Sequence, residues 1–163
     1  MYKRQDKSLS IRWVLLASQA TGKSKAYNLL MSEDVTAALD SIKKLGVTVN
    51  THKSYCEIIG NGINSFKYKK NLIINAKNSG TFARLILGLL IRSPQKIKLV
   101  GDKSLSKRDF LRVTTPLKKL GAKFYFKKEN KLPLSIIGSE SVSDIRYREN
   151  RGSAQCKSCI MLA

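Results

Sequence analysis

Asp6-Lys7-Ser8-Leu9-Ser10-Ile11-Arg12 returns later in the chain as Asp102-Lys103-Ser104-Leu105-Ser106-Lys107-Arg108, with six of seven positions kept. Each copy sets a lysine, two hydroxyls and an arginine at the start of an apolar helical run. Amides and hydroxyls at a helix start donate to oxygens, the helix dipole favours negative charge there, and Lys and Arg add full charges. The string therefore suits capture of an anion, and its duplication points to repeated units. Two serine-capped helices with solvated basic residues would look the same locally. The neighbouring sequence has to decide.

Outward from the first copy, Ser10 is expected to cap a helix through about Gln19, with Trp13, Val14, Leu16 and Ala17 on its apolar face. Thr21-Gly22 breaks it, and residues 25–30 read as a short strand. Ser32-Glu33-Asp34 opens a second helix on which Val35, Ala38, Leu39, Ile42 and Leu45 recur at helical spacing, and Gly46 closes it. Residues 47–49 and 55–59 alternate as a hairpin, Gly60-Asn61-Gly62 reads as a turn, and residues 72–75 as a buried strand. Asn78-Ser79-Gly80-Thr81 starts a third helix, residues 82–91, apolar almost all round and hence buried.

Residues 97–100 read as a strand. The second copy of the string is expected to start a fourth helix that runs to Leu120, with a kink or break at Pro116. Residues 123–126 and 134–137 form another hairpin through Glu129-Asn130, and 138–152 is polar and loop-like. Gly152-Ser153-Ala154-Gln155 opens a fifth helix. A second echo, Ile42-Lys43-Lys44-Leu45-Gly46-Val47 and Leu117-Lys118-Lys119-Leu120-Gly121-Ala122, ends a helix and feeds a hairpin both times. Its offset is 75 residues, against 96 for the anion string, so the two units are not simple copies.

The 163 residues, 42% of them hydrophobic, suffice for a folded chain with a real core. No apolar run approaches the roughly 18 residues that span a bilayer. Met1-Tyr2-Lys3-Arg4-Gln5 has no secretory character, and three cysteines suit a reducing cytoplasm. The net charge of +20 invites nucleic acid as a partner. Yet the lysines are scattered, clustering only at Lys67, Lys69 and Lys70 and at Lys127-Lys128, without basic–aromatic interleaving. Nucleic-acid binding is accordingly not expected as the main activity.

Two decoys fall on context. Gly22-Lys23-Ser24 nearly completes a P-loop, but that loop follows a strand and precedes a helix, the reverse of the order here. Cys156-Lys157-Ser158-Cys159 is a lone CxxC. It has no second pair for zinc, and the one histidine, His52, lies in a distant hairpin. It reads as two small buried side chains, and His52 as a surface residue.

Taken in order, five strings resemble the 5-enolpyruvylshikimate-3-phosphate synthase family, the 3-phosphoshikimate 1-carboxyvinyltransferases. They are Asp6 to Arg12, Asn78-Ser79-Gly80-Thr81-Phe82-Ala83-Arg84, Gly101 to Arg108, Leu132-Pro133-Leu134, and Gly152-Ser153-Ala154-Gln155-Cys156-Lys157-Ser158. The resemblance covers essentially the whole chain. It implies an α+β (mixed α/β) fold of repeated βαβαββ units from the inside-out α/β barrel of enolpyruvyl transferases. Members are more than twice as long. Residues 1–163 are thus expected to be a truncated, amino-terminal part of one domain, with the second domain absent.

The reaction implied joins the 5-hydroxyl of shikimate 3-phosphate to carbon 2 of phosphoenolpyruvate. A tetrahedral adduct forms and phosphate leaves, with no metal or organic cofactor. By resemblance, Lys7 lies between both substrates and is the catalytic cation. Ser8, Arg12, Ser153, Ala154 and Gln155 hold shikimate 3-phosphate. Gly80, Arg108 and Gln155 hold phosphoenolpyruvate. Gly80 also implies glyphosate sensitivity, because that inhibitor takes the place of phosphoenolpyruvate in the family. The partners expected are these two small molecules, with no membrane, and a monomer when full length. The part alone is expected to be inactive.

Departures from the family pattern are Arg4-Gln5 where Pro-Gly is usual, Asp109 where proline often follows the arginine, and Ser153-Ala154-Gln155 where many members have Ser-Ser-Gln. Two alternatives stand beside this reading. One is the sister UDP-N-acetylglucosamine carboxyvinyltransferases, which typically have Lys-Asn at Lys7-Ser8. The other is a basic nucleic-acid-binding module.

Overall fold

A computed structural model describes residues 6–149 and 152–163. Arg4-Gln5, and the Asn150-Arg151 part of the polar loop, lie outside the described residues. The chain falls into two compact units, residues 1–68 and 69–163.

In the first unit, α1 (Lys7–Gln19) leads to β1 (Thr21–Tyr27), α2 (Glu33–Lys44), β2 (Thr48–Thr51) and β3 (Tyr55–Asn61). The strands form an antiparallel sheet in the order β1-β3-β2. Ile11, Val14 and Leu15 of α1, Val35, Ala38 and Ile42 of α2, and Ile58 of β3 make the fully buried core. Helix α1 is capped by Asp6, whose side chain accepts from the Leu9 amide at 2.9 Å, and not by Ser10. Ser10 sits one turn inside, its hydroxyl donating back to the Asp6 carbonyl at 2.9 Å. Both residues satisfy the capping rule, and the earlier one gains a further turn of helix. The strand expected at 25–30 begins instead at Thr21, because Gly22 pairs with Gly60 in the ladder. Gly60-Asn61 is therefore strand and not turn. Helix before Gly22-Lys23 and strand after it disposes of the P-loop.

The second unit runs β4 (Ile73–Asn75), α3 (Gly80–Leu89), β5 (Ile97–Val100), a 3-10 turn (Leu105–Lys107), α4 (Leu111–Lys119), β6 (Lys123–Lys128), β7 (Lys131–Ile137) and α5 (Ala154–Met161). Its sheet has the order β4-β5-β7-β6, with β4 parallel to β5 and the other pairs antiparallel. Helices α2, α3 and α5 start where expected, with Ser32, Ser79 and Ser153 accepting from the amide three residues on. The fourth helix does not start at the second copy of the string. That copy makes only the 3-10 turn, and the backbone becomes extended at Arg108. Asp109 then accepts from the Leu111 amide at 2.7 Å and starts α4 afresh. Pro116 sits inside the short helix and forfeits one bond, to the carbonyl of Arg112.

The two units share a plan. Strand order β1-β3-β2 matches β5-β7-β6, and β3 and β7 are seven-residue strands 76 positions apart. The helix-ending echo explains the likeness. Gly46 (φ +86°) donates to the Lys43 carbonyl and Val47 to that of Ile42; Gly121 (φ +109°) donates to Lys118 and Ala122 to Leu117. Both are Schellman stops, in which a left-handed residue lets the chain reverse into a strand, a conformation glycine adopts without penalty. The anion strings, by contrast, occupy different places. The first opens α1, the second follows β5.

Helix α3 is buried along its length except at Arg84. It packs on α5 so closely that a Cβ on Gly88 would stand 2.2 Å from the carbonyl oxygen of Cys159. Cys156 and Cys159 are buried free thiols, and burial pushes the Cys159 thiol up to about 12. That makes it a poor nucleophile. Gly88→Ala should lower the thermal unfolding midpoint. Overpacking costs about 1–3 kcal/mol, against a gain of about 1 kcal/mol in helix propensity. A raised midpoint by circular dichroism would show that α3 and α5 do not meet backbone to backbone.

Candidate active site

The anion-binding candidates fall into one group in each unit. In the first, the start of α1 presents Lys7, Ser8 and Arg12. Lys7 is half-exposed, and its Nζ lies 2.8 Å from Oδ2 of Asp34 in the first turn of α2. The carboxylate fixes the direction of the ammonium while leaving part of it open to solvent. Ser8 and Arg12 stand one turn apart, and an Arg12 Nη1–H donates to the Ser8 carbonyl at 3.3 Å. The remaining donors of that fork stay available for a planar anion.

The second group gathers around the start of α3. Ser79 caps the helix, so the Gly80 amide belongs to its first turn, where amides lack partners within the helix. A Cβ on Gly80 would stand 2.7 Å from Nη1 of Arg108 and 3.0 Å from Nη1 of Arg84. Two guanidiniums thus lie against a residue that has no side chain to obstruct them. Arg108 donates to Oδ1 of Asn78 at 3.2 Å. Arg84 donates to the Gly80 carbonyl (3.2 Å), to Oε1 of Gln155 (3.2 Å) and to the Asp109 carbonyl (3.3 Å). Gln155 in turn donates to the Thr81 hydroxyl at 3.0 Å. Burial, and then the like charges of Arg108 and Arg112, push the Arg84 guanidinium below its ordinary pKa. Two neighbouring cations of this kind favour an anion between or beside them.

At the start of α5, Ser153 spends its oxygen as an acceptor on the Cys156 amide at 3.3 Å and keeps its O–H to donate elsewhere. Four residues before it stands Glu149, whose side chain is only 5% exposed. Its two oxygens accept from Arg112 of α4 and from the Tyr147 hydroxyl. The bond to Glu149 pushes the Arg112 pKa up, while burial first and the Glu149 bond second raise that of Tyr147.

The model of the EPSP synthase (3-phosphoshikimate 1-carboxyvinyltransferase) family matches residues 4–163. The chain belongs to the EPSP synthase family. It is 38% identical over 159 residues to the 3-phosphoshikimate 1-carboxyvinyltransferase of Streptococcus mutans, covering 97% of this chain and 37% of that protein. Its identity to the Zymomonas mobilis enzyme of the same name is 37% over 159 residues, covering 97% and 35%. The structure of EPSP synthase from Acinetobacter baumannii superposes with a TM-score of 0.90 at 33% identity, over 97% of this chain and 36% of that one. The chain thus spans a little over a third of the length of the EPSP synthases it matches. Its fold is their mixed α/β fold over that part. Among the described residues the second unit carries the βαβαββ order in full, and the first carries αβαββ.

Of the residues marked from sequence, the structure brings Gly80, Arg108 and Gln155 into one cluster. Ser153 and Ala154 stand beside Gln155 at the head of α5. Lys7, Ser8 and Arg12 form the group of the other unit. Sequence reading assigned no part to Arg84, Thr81 or Asn78. The signal for Arg84 was present, since it is the one charged residue in a helix apolar all round. Asp109, which stands where proline often follows the arginine, spends its carboxylate on the Leu111 amide.

Gly80→Ala tests the cradle. The atoms that the methyl would meet are the ends of two long side chains, so stability should change little. Affinity for inorganic phosphate should fall as Arg108 swings off, while Arg84, met at 3.0 Å, gives by a few tenths of an ångström and keeps its bonds. A lowered melting midpoint with unchanged phosphate affinity would refute this arrangement.

Proposed function

We propose that the chain serves transfer of the enolpyruvyl group of phosphoenolpyruvate to the 5-hydroxyl of shikimate 3-phosphate. The observation that carries this reading is the pair of guanidiniums, Arg84 and Arg108, against the side-chain-free start of α3. A phosphoryl group there would accept from the Gly80 amide and from Arg108, with no Cβ in its way. The Gln155 amide, held between Arg84 and Thr81, is the third donor to the same ligand and, with Ser153 and the Ala154 backbone, to shikimate 3-phosphate. Ser8 and Arg12 take the latter's polar ring and carboxylate.

In the chemistry, protonation of the methylene makes carbon 2 electrophilic, and the 5-hydroxyl oxygen adds there with loss of its proton. The bond from carbon 2 to the phosphate oxygen then breaks as phosphate departs. Loss of a proton from the new methyl restores the double bond. Lys7, directed by Asp34, offsets negative charge on phosphoenolpyruvate through these steps. The proton transfers are assigned to groups outside these 163 residues. We read the chain as part of one domain of a two-domain, monomeric, cytoplasmic enzyme. By itself it is expected to bind ligands without turnover, because without the second domain water reaches and screens its cations.

Arg108→Ala should weaken phosphoenolpyruvate binding by about 10- to 150-fold, the loss of a charged hydrogen bond of roughly 1.5–3 kcal/mol. Lys103→Ala, in the same string, should change it little. Calorimetric titration of both variants checks this, and equal losses would remove Arg108 from the site. Phosphate release from the two substrates by the chain alone, abolished by Lys7→Ala, would overturn the expectation of inactivity.

A further inference from the structure

The lysines that look scattered along the sequence are gathered by strand alternation in the second unit. One face of its sheet carries the buried Ile74, Ile97, Leu99, Leu134 and Ile136. The opposite face carries Ile73, Lys98, Ser135 and Tyr125 as one row across all four strands, set by the pairs Ile73 with Lys98, Lys98 with Ser135, and Ser135 with Tyr125. Lys123 stands beside Tyr125 at the same parity on β6, and Lys127 follows where the β6–β7 register shifts. Lys96, two positions before Lys98, places its Nζ 4.7 Å from the centre of the Tyr125 ring. All four lysines are exposed, and Tyr125 is 48% exposed.

No strand of this sheet contains an aspartate or glutamate. The equivalent face of the first sheet differs in that respect. There Lys25 pairs with Glu57 at 3.7 Å, and Asn50 donates to the same carboxylate at 3.3 Å. The Asn50 bond first, with help from Lys23 and Lys25, holds the Glu57 carboxyl below its usual range. The first sheet sets a carboxylate among its lysines; the second sets none, and leaves Lys96 over the exposed Tyr125 ring with Lys98 and Lys123 on the same face.

We propose that this face of the second sheet binds single-stranded nucleic acid. Ammonium groups beside a stacking ring are the two elements by which such strands are held without sequence preference. The surface is a sheet face with an exposed ring, on which splayed bases can stack as the paired bases of a duplex cannot. Of the aliphatic side chains on this face Ile73 is exposed, while Val100 and Ile137 are half-buried, a small surface for insertion into a bilayer. This role is separate from the anion cradle at α3, which draws on none of these residues.

The test is fluorescence anisotropy of a labelled 20-residue oligouridylate with the 163-residue chain. Binding at 50 mM salt should weaken with a log–log slope of about −2 to −3, from three or four phosphate contacts at roughly −0.7 each. The double variant Lys98→Gln, Lys123→Gln should lose at least tenfold in affinity. The pair Lys43→Gln, Lys44→Gln on α2 makes the same change in net charge and should lose under threefold. Tyr125→Leu should cost roughly 5- to 150-fold from lost stacking. Equal losses from the two lysine pairs would overturn the proposal in favour of diffuse attraction by net charge. So would binding indifferent to Tyr125, or tighter binding to duplex DNA or to phosphatidylserine vesicles than to the oligouridylate.

Discussion

The Arg84 guanidinium holds the second unit's candidate site together. It bonds at once to the carbonyl that begins α3, to the Gln155 side chain that begins α5, and to the Asp109 carbonyl just before α4. Hydrogen bonds from a charged donor contribute roughly 1.5–3 kcal/mol each, which offsets the cost of half-burying a cation among apolar helices. The arrangement fixes three helix starts relative to one another and leaves Arg108 free to reach across Gly80. A neutral residue at 84 would strand the Gln155 amide with one partner, Thr81, and lose the tie between α3 and the approach to α4.

The sequence made some of this plain. The strings Ser32-Glu33-Asp34, Asn78 to Thr81 and Gly152-Ser153 marked three helix starts because capping and turn residues stand there directly before a helical run. At Asp6-Lys7-Ser8-Leu9-Ser10 three residues could cap, and local rules do not rank them. The second copy of the string defeated the expectation of a long fourth helix because Arg108 turns extended and Asp109 supplies a new start, an outcome decided by the pairing of Phe110 with the Asn130 carbonyl. The strand over residues 21–27 starts earlier than local rules place it, because Gly22 counts as a breaker locally but has a ladder partner in Gly60. Arg84 and Thr81 gained their meaning from Gln155, more than seventy residues away. No pattern within a window of sequence carries that.

The charge balance follows from how the acids are used. There are 11 acidic and 31 basic side chains. Asp6, Asp102 and Asp109 are spent on backbone amides, and Glu33 stands in the first turn of α2. Asp34, Glu57 and Glu149 hold the ion pairs seen among the described residues. With these seven carboxylates so committed, the chain sorts its cations by position. Some meet a local partner, some converge on Gly80, and others stand open on a sheet face.

The shared plan of the two units bears on ancestry. The most conspicuous duplicate in the chain, the Asp-Lys-Ser-Leu-Ser string, opens α1 in one unit and follows β5 in the other. Its copies agree in a shared local habit, an aspartate accepting from the amide three residues on. That likeness is one of local habit, since the two copies stand at different stations of the shared plan. The pair of Schellman stops does occupy the same station, and is where a common plan would leave its mark in the sequence.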